Sequence, residues 1–392
     1  GQWQTFPNAK AAEEASYEEY KANLRRNAQN FRITDEYLGE GGPKAKFQAN
    51  INAIRLLKEL EVVGQQASPE QQEALSRYVG WGGLADAFDP EKPAWALEYA
   101  QLKELLTPEE YAAARSSTLN AHYTSPTVIQ AIYEAVDRMG FETGNILEPS
   151  MGVGNFFGML PEKMRNSRLY GVELDPVSGR IAKQLYPKAD ITVGGFETTD
   201  RRDFFDLAIG NVPFGQYQVN DKAYNKLNFN IHNYFFAKAL DQVRPGGVVA
   251  FVTSRYTMDA KDSTVRRYLA QRAELLGAIR LPNDAFKKNA GAEVVSDIIF
   301  LQKRDRPMDI VPEWTQTGQT EDGFAINRYF IDHPEMVLGR QEPVSTAHGM
   351  DYTVNPIEGL ELSDQLHDAV KYIHGTYQEA ELPELGEGEA ID

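Results

Sequence analysis

The chain has 392 residues with no cysteine, and 57 acidic against 40 basic residues give a formal charge of −17. A hydrophobic share of 42% and a charged share of 25% are those of a globular protein with room for two or three domains. The lack of cysteine excludes a disulfide scaffold, thiolate catalysis and zinc sites built on sulfur. No run approaches the ~18 apolar residues of a membrane span, and the Gly1-Gln2-Trp3-Gln4 start has neither a basic nor an apolar leader. A cytoplasmic protein is therefore expected. The absence of an initiator Met suggests a piece of a longer chain. A net −17 argues at face value against nucleic acid, but the charge is uneven. It sums to about −5 over residues 1–115, about +2 over 116–310 and about −14 over 311–392. Residues 211–290 alone hold twelve Lys and Arg against six Asp and Glu.

Residues 1–115 read as a helical domain. Ala11 to Asn30 is rich in helix formers. Ile51, Ile54, Leu56, Leu57 and Leu60 make a helical stripe. Ser68-Pro69 and Thr107-Pro108 each put a capping side chain before a proline at the first helical position. Tyr78-Val79-Gly80-Trp81-Gly82-Gly83-Leu84 reads as a turn that plants a large apolar anchor. From Ser125 helices and strands alternate. Strands are expected at Asn145–Glu148, Leu169–Glu173, Asp190–Val193, Phe205–Ile209, Gly247–Thr253, Leu276–Leu281 and Val294–Leu301. Helices are expected between most of them, and the last two strands may pair as an antiparallel hairpin. This predicts a doubly wound, mostly parallel α/β sheet over residues 116–306, with its ligand at the carboxyl ends of the strands. Residues 307–392 read as an irregular acidic region that ends in a solvated tail, with ten acids and one Lys after Ile357.

Three loops carry chemistry. In Glu148-Pro149-Ser150-Met151-Gly152-Val153-Gly154-Asn155-Phe156, Gly152 and Gly154 let backbone approach a ligand at a helix start. A tight turn, a nucleoside site or a dinucleotide site would each fit such a pair, but the strand-end Glu148 disfavours a pyrophosphate. About 20 residues on, Glu173 is placed to accept from ribose hydroxyls, while Asp175 before Pro176 reads as a helix cap. At the end of the fourth strand stands Asn211-Val212-Pro213-Phe214.

That last tetrapeptide resembles the Asn-Pro-Pro-Phe/Tyr motif of amino methyltransferases. The glycine-rich loop is similar to their first motif for S-adenosylmethionine (SAM). Asn120-Ala121-His122-Tyr123-Thr124-Ser125-Pro126 resembles the segment that precedes the sheet in N6-adenine DNA methyltransferases. Pro245–Val252, Gly277–Pro282 and Asp297–Leu301 are similar to stretches of type I modification subunits. Gly41–Lys46, Tyr78–Leu84 and Tyr329–Met336 resemble segments of large methyltransferase–helicase proteins of phages and other mobile elements. The resemblance implies a seven-stranded Rossmann-like methyltransferase sheet with an antiparallel final strand, and continuity with a helicase-like region. It implies SAM contacts from Tyr123, Thr124, Glu148, Ser150, Gly152, Gly154, Asn155, Phe156, Glu173, Leu174, Phe196 and Asn211. It implies catalysis by Asn211, Val212, Pro213 and Phe214, and no metal. Two positions depart from the pattern: Val212 replaces the first Pro, and Gly195 stands where an Asp for the adenine is expected, with Glu197 as a substitute.

The chemistry follows from the residue types. The Asn211 side-chain oxygen and the Val212 carbonyl could accept the hydrogens of an exocyclic amine and aim its lone pair, with Phe214 stacked on the base. A duplex base must be flipped out to reach them. C5-cytosine methylation needs a cysteine and is excluded. DNA contact is expected from residues 211–290, through a loop that mixes Tyr217, Tyr224, Phe229 and Tyr234 with Lys222 and Lys226. Arg255, Lys261, Arg266 and Arg267 read as a phosphate patch or a solvated helix face. Protein glutamine, an RNA amine, or SAM and DNA binding for anti-restriction with little turnover are the competing readings.

Overall fold

The computed structural model describes residues 5–35, 39–119, 123–286 and 294–380. The helical start comprises α1 (Ala9–Asn27), α2 (Pro43–Val63), α3 (Pro69–Leu75), α4 (Ala96–Leu105) and α5 (Pro108–Ser117). Both expected proline starts are capping boxes: Ser68 with Gln71 opens α3, and Thr107 with Glu110 opens α5. The predicted stripe buries Ile51, Ile54, Leu57 and Leu60.

The sheet follows α6 (Pro126–Arg138). Its members are β1 (Asn145–Glu148), β2 (Arg168–Glu173), β3 (Asp190–Val193), β4 (Phe205–Asn211), β5 (Val243–Ser254), β6 (Ala273–Arg280) and β7 (Ser296–Lys303). They lie in the order β3-β2-β1-β4-β5-β7-β6. The first five are parallel, and β7 runs antiparallel between β5 and β6. This is the expected doubly wound, mostly parallel seven-stranded sheet with an antiparallel final strand. Strand order reverses between β1 and β4, so their carboxyl ends open a crevice at the switch point. The central strands carry near-continuous apolar runs because helices cover both faces. Ile209, Val249, Phe251, Ile298 and Phe300 are all buried. The helices between strands are α7 (Asn155–Gly158), α8 (Pro176–Leu185), α9 (Ile231–Gln242), α10 (Tyr256–Asp259) and α11 (Thr264–Arg272).

Residues after Pro307 hold more structure than their composition suggests. Two hairpins, β8–β9 (Thr317–Gln319, Ala325–Asn327) and β10–β11 (Arg340–Thr346, Gly349–Asn355), flank α12 (Arg328–Asp332). Helix α13 (Leu362–Ala369) then packs on α6. His374 donates its amide to Leu276, and Tyr377 donates to Met139. The stretch from Ile357 to about residue 380 is therefore docked, not a solvated tail. Its acids face outward while Leu366, Ala369, Val370 and Ile373 are buried. Glu384, Glu387 and Glu389 lie outside the described residues.

Candidate functional site

The loop after β1 is built for close approach. Gly152 and Gly154 have φ of 57° and 88°, which other residues rarely adopt, and a Cβ at Gly154 would strike the Tyr186 ring. The loop is fixed to β2 by the Met151 amide, which donates to Val172. Glu173 ends β2 and receives two backbone donors: Gly152 to Oε1 at 2.8 Å and Asp175 to Oε2 at 2.7 Å. Burial pushes its carboxyl up to about 7, against the pull of those amides. Glu148 is 2% exposed, and its Oε2 has no hydrogen-bond partner among the described residues. Burial, and then the neighbouring Glu173, raise it well above the carboxylate range.

Asn211 ends β4 on the other side of the crevice. Its Nδ2 donates to Thr124 Oγ1 at 3.1 Å, and Ser150 Oγ donates to its main-chain carbonyl at 2.8 Å. The amide orientation leaves Oδ1 with no hydrogen bond among the described residues, as an acceptor of hydrogens from outside must be. The Val212 amide donates to Val252 at 3.0 Å, which extends the β4–β5 ladder by one residue. A proline at 212 would lose that bond, so the departure from the Asn-Pro-Pro pattern has a structural use here. Tyr123 is hydrogen-bonded to Asn155, and burial raises its hydroxyl above the usual range. Asn120, Ala121 and His122 lie outside the described residues.

These groups share one cavity of about 250 Å³. Of the residues read from sequence, Tyr123, Thr124, Glu148, Ser150, Gly152, Asn155, Phe156, Glu173, Asn211, Val212 and Pro213 line it. Gly154 shapes it from behind as the N-cap of α7. Three others do not line it. Leu174 points to solvent at 72% exposure. Phe196 is buried against Phe235 and Tyr234, at ring distances of 4.9 and 6.1 Å. Phe214 is half-buried outside the wall. Gly195 caps a short turn, and Glu197 is exposed beside it. The sequence reading missed Tyr78, Val79, Gly80 and Trp81, which come from the helical region and also line the cavity. The three glycines around one Trp were the available signal.

The basic stretch after the motif is largely internal. Arg280 is fully buried between Asp259 (2.7 Å) and Asp297 (2.8 Å). Arg255 pairs with Asp351 at 2.7 Å, Lys238 with Asp221 at 2.8 Å, and Arg244 with Asp206. Arg266 is 1% exposed and donates to the Thr315 carbonyl. Arg255 and Arg266 are thus neither a phosphate patch nor a solvated face. Tyr224, Phe229 and Tyr234 are buried too; Tyr224 bonds Asp241 and Tyr234 bonds Asp221. What stays exposed from this stretch is Tyr217, Lys222, Lys226, Lys261 and Arg267. The stretch is basic in sum, but much of its positive charge neutralises buried acids.

The Eco57I restriction-modification methylase family matches residues 188–286, which contain β3 to β6 and Asn211–Phe214. A 74-residue stretch is 45% identical to the type II methyltransferase M.CvrRI of Paramecium bursaria Chlorella virus XZ-6E, covering 19% of each chain. Over 277 residues, 69% of its length, the chain is 28% identical to the "Defense against restriction protein B" of Escherichia phage P1, and it spans 11% of that protein. A chain of a type I restriction–modification system is 15% identical with a TM-score of 0.39, over 76% of this chain and 75% of that one. The donor set fits SAM, the methyl donor that the motif resemblance implies. Glu173 keeps lone pairs for hydroxyl donors, and Glu148 offers an unpartnered buried oxygen to a cation. Among the described residues no helix is long and apolar enough to cross a membrane.

Proposed function

We propose that the protein methylates the exocyclic N6 amine of adenine in DNA, acting in the cytoplasm. SAM supplies an electrophilic methyl on a sulfonium sulfur. Glu173 would accept from the ribose hydroxyls, Glu148 would take the α-ammonium group, and the Gly152–Asn155 backbone would bound the amino-acid end. Asn211 Oδ1 and the Val212 carbonyl accept the two N6 hydrogens, which draws the nitrogen toward a pyramidal shape and aims its lone pair at the methyl carbon. Transfer would form the N–C bond as the C–S bond breaks, and the extra N6 proton would leave to solvent. Neither a covalent enzyme adduct nor a cysteine is needed. The base must be flipped out of the duplex, because the cavity lies in the crevice between β1 and β4.

The observation that carries this reading is Asn211, with its nitrogen engaged by Thr124 and its oxygen, at the cavity wall, unengaged among the described residues. Incubation with methyl-labelled SAM and unmethylated DNA, structured RNA and a protein extract tests it. Label in DNA supports it, and label in RNA or protein alone supports one of the other amine substrates. The name of the phage P1 relative favours a second reading, in which the methyltransferase protects invading DNA from restriction. Plasmid propagated with the protein and then challenged with restriction enzymes in vitro separates the routes. Resistance that disappears in Asn211→Ala comes from methylation; resistance that persists comes from binding.

A further inference from the structure

The helical region contributes a turn to the cofactor cavity, and that turn is held more firmly than simple packing requires. Asn50 of α2, fully buried, clamps it from inside: Nδ2 donates to the Gly80 carbonyl at 2.6 Å, and Oδ1 accepts the Val79 amide at 2.9 Å. Trp81 anchors it edge-on against Phe47 and Phe88, with ring distances of 5.9 and 5.5 Å. The surrounding helices are themselves fastened to α8. Arg180 pairs with Glu61 at 2.7 Å and Glu110 at 2.8 Å, and Gln184 accepts the Ala67 amide. The turn therefore sits at a fixed height over the start of α8.

Tyr78 links the two parts. Its buried ring packs edge-on against Trp81 at 6.2 Å, and it lines the cavity wall together with Ser178 and Asp175. Ser178 donates through both Oγ and its amide to Asp175 Oδ2, at 2.7 and 2.8 Å. The Asp175 amide in turn donates to Glu173 Oε2 at 2.7 Å. Tyr78 thus stands beside a chain of bonds that runs from Ser178 through Asp175 to Glu173, the acid read as the ribose acceptor.

We propose that the Tyr78–Trp81 turn forms the outer wall of the adenosine half of the cofactor site, and that Tyr78 is a positioning residue that holds Glu173 through Ser178 and Asp175. The helical region is then part of the SAM site and not only a flank. The proposal rests on the reading of Glu173 as the ribose acceptor.

Calorimetry on the full chain with SAM, S-adenosylhomocysteine and adenosine tests it. Tyr78→Phe keeps the ring packing and removes the hydroxyl. It should weaken all three ligands about 3- to 10-fold, raise KM for SAM, and leave kcat at saturating SAM and the melting temperature near wild type. Gly80→Asn provides a second test. Gly80 has φ of 78°, which Asn tolerates, and a Cβ there meets nothing within 4 Å. The new side chain should block SAM without unfolding the protein. Wild-type binding matched by both variants overturns this proposal alone. A wild-type protein that binds neither SAM nor S-adenosylhomocysteine overturns both it and the cofactor reading.

Discussion

Glu173 should make cofactor binding pH-dependent near neutrality. Its carboxyl is pushed up to about 7 by burial, so near that pH half of the free protein carries it protonated. A protonated carboxyl has lost part of its accepting capacity, and hydroxyl donors from a ribose favour the ionised form. The sign follows: affinity is full above about pH 7 and falls as pH drops below it. For one proton that must leave, the apparent Kd scales as 1 + 10^(pKa − pH). Between pH 8 and pH 6 this is about a tenfold loss, or ~1.4 kcal/mol. Calorimetry with SAM in two buffers of different ionisation enthalpy should report both the slope and a released proton of up to about one per site. Glu173→Gln should flatten the profile and weaken binding at pH 8 by about tenfold, the worth of a charge-assisted bond. Glu148→Gln should leave the inflection near 7 in place. An affinity that is constant from pH 6 to 8, or a Glu173→Gln variant that keeps the slope, would refute the reasoning.

Other perturbations have equally definite outcomes. Asn211→Ala should cut methyl transfer by about 10²–10³-fold while SAM still binds, as single-turnover rates and calorimetry would separate. Val212→Pro, although closer to the family motif, should cost about 1–3 kcal/mol in urea unfolding because it removes the amide bonded to Val252. Arg280→Met should destabilise the protein by about 3–5 kcal/mol, since Asp259 and Asp297 are left buried without their partner. Replacing Lys222 and Lys226 with Ser should weaken DNA binding for all sequences alike. If both touch phosphates, the salt slope should drop by about 2 in a log–log plot.

Period and punctuation made most of the sheet readable. The strands from Asn145 to Val193 have nearly the expected bounds because each apolar run is closed by Gly, Pro or an acid. The pairing of the last two strands was legible because no helical pattern separates them. Lengths were underestimated where polar residues are buried. β5 begins at Val243 and includes Arg244, which is neutralised by Asp206. Long-range pairing was the main illegible feature. Arg255 meets Asp351 across 96 positions, and nothing local in either segment announces it. A Lys or Arg in sequence reads as solvated unless its partner is known, so a basic stretch was taken for a surface. The same holds for Tyr78, whose use depends on α3 docking against α8. The residues that end β1, β2 and β4 come together at one cavity because a single strand-end rule places them all. Phe196 was misplaced because an aromatic in the right slot does not say which side it packs on.

The central claim is the identity of the atom methylated. Plasmid DNA from a methylation-free host, incubated with the protein and SAM and digested to nucleosides, can be resolved by liquid chromatography and mass spectrometry. The account predicts N6-methyladenine that is absent with Asn211→Ala. N4-methylcytosine instead, or no methylated nucleoside from a protein that demonstrably binds SAM, would contradict it.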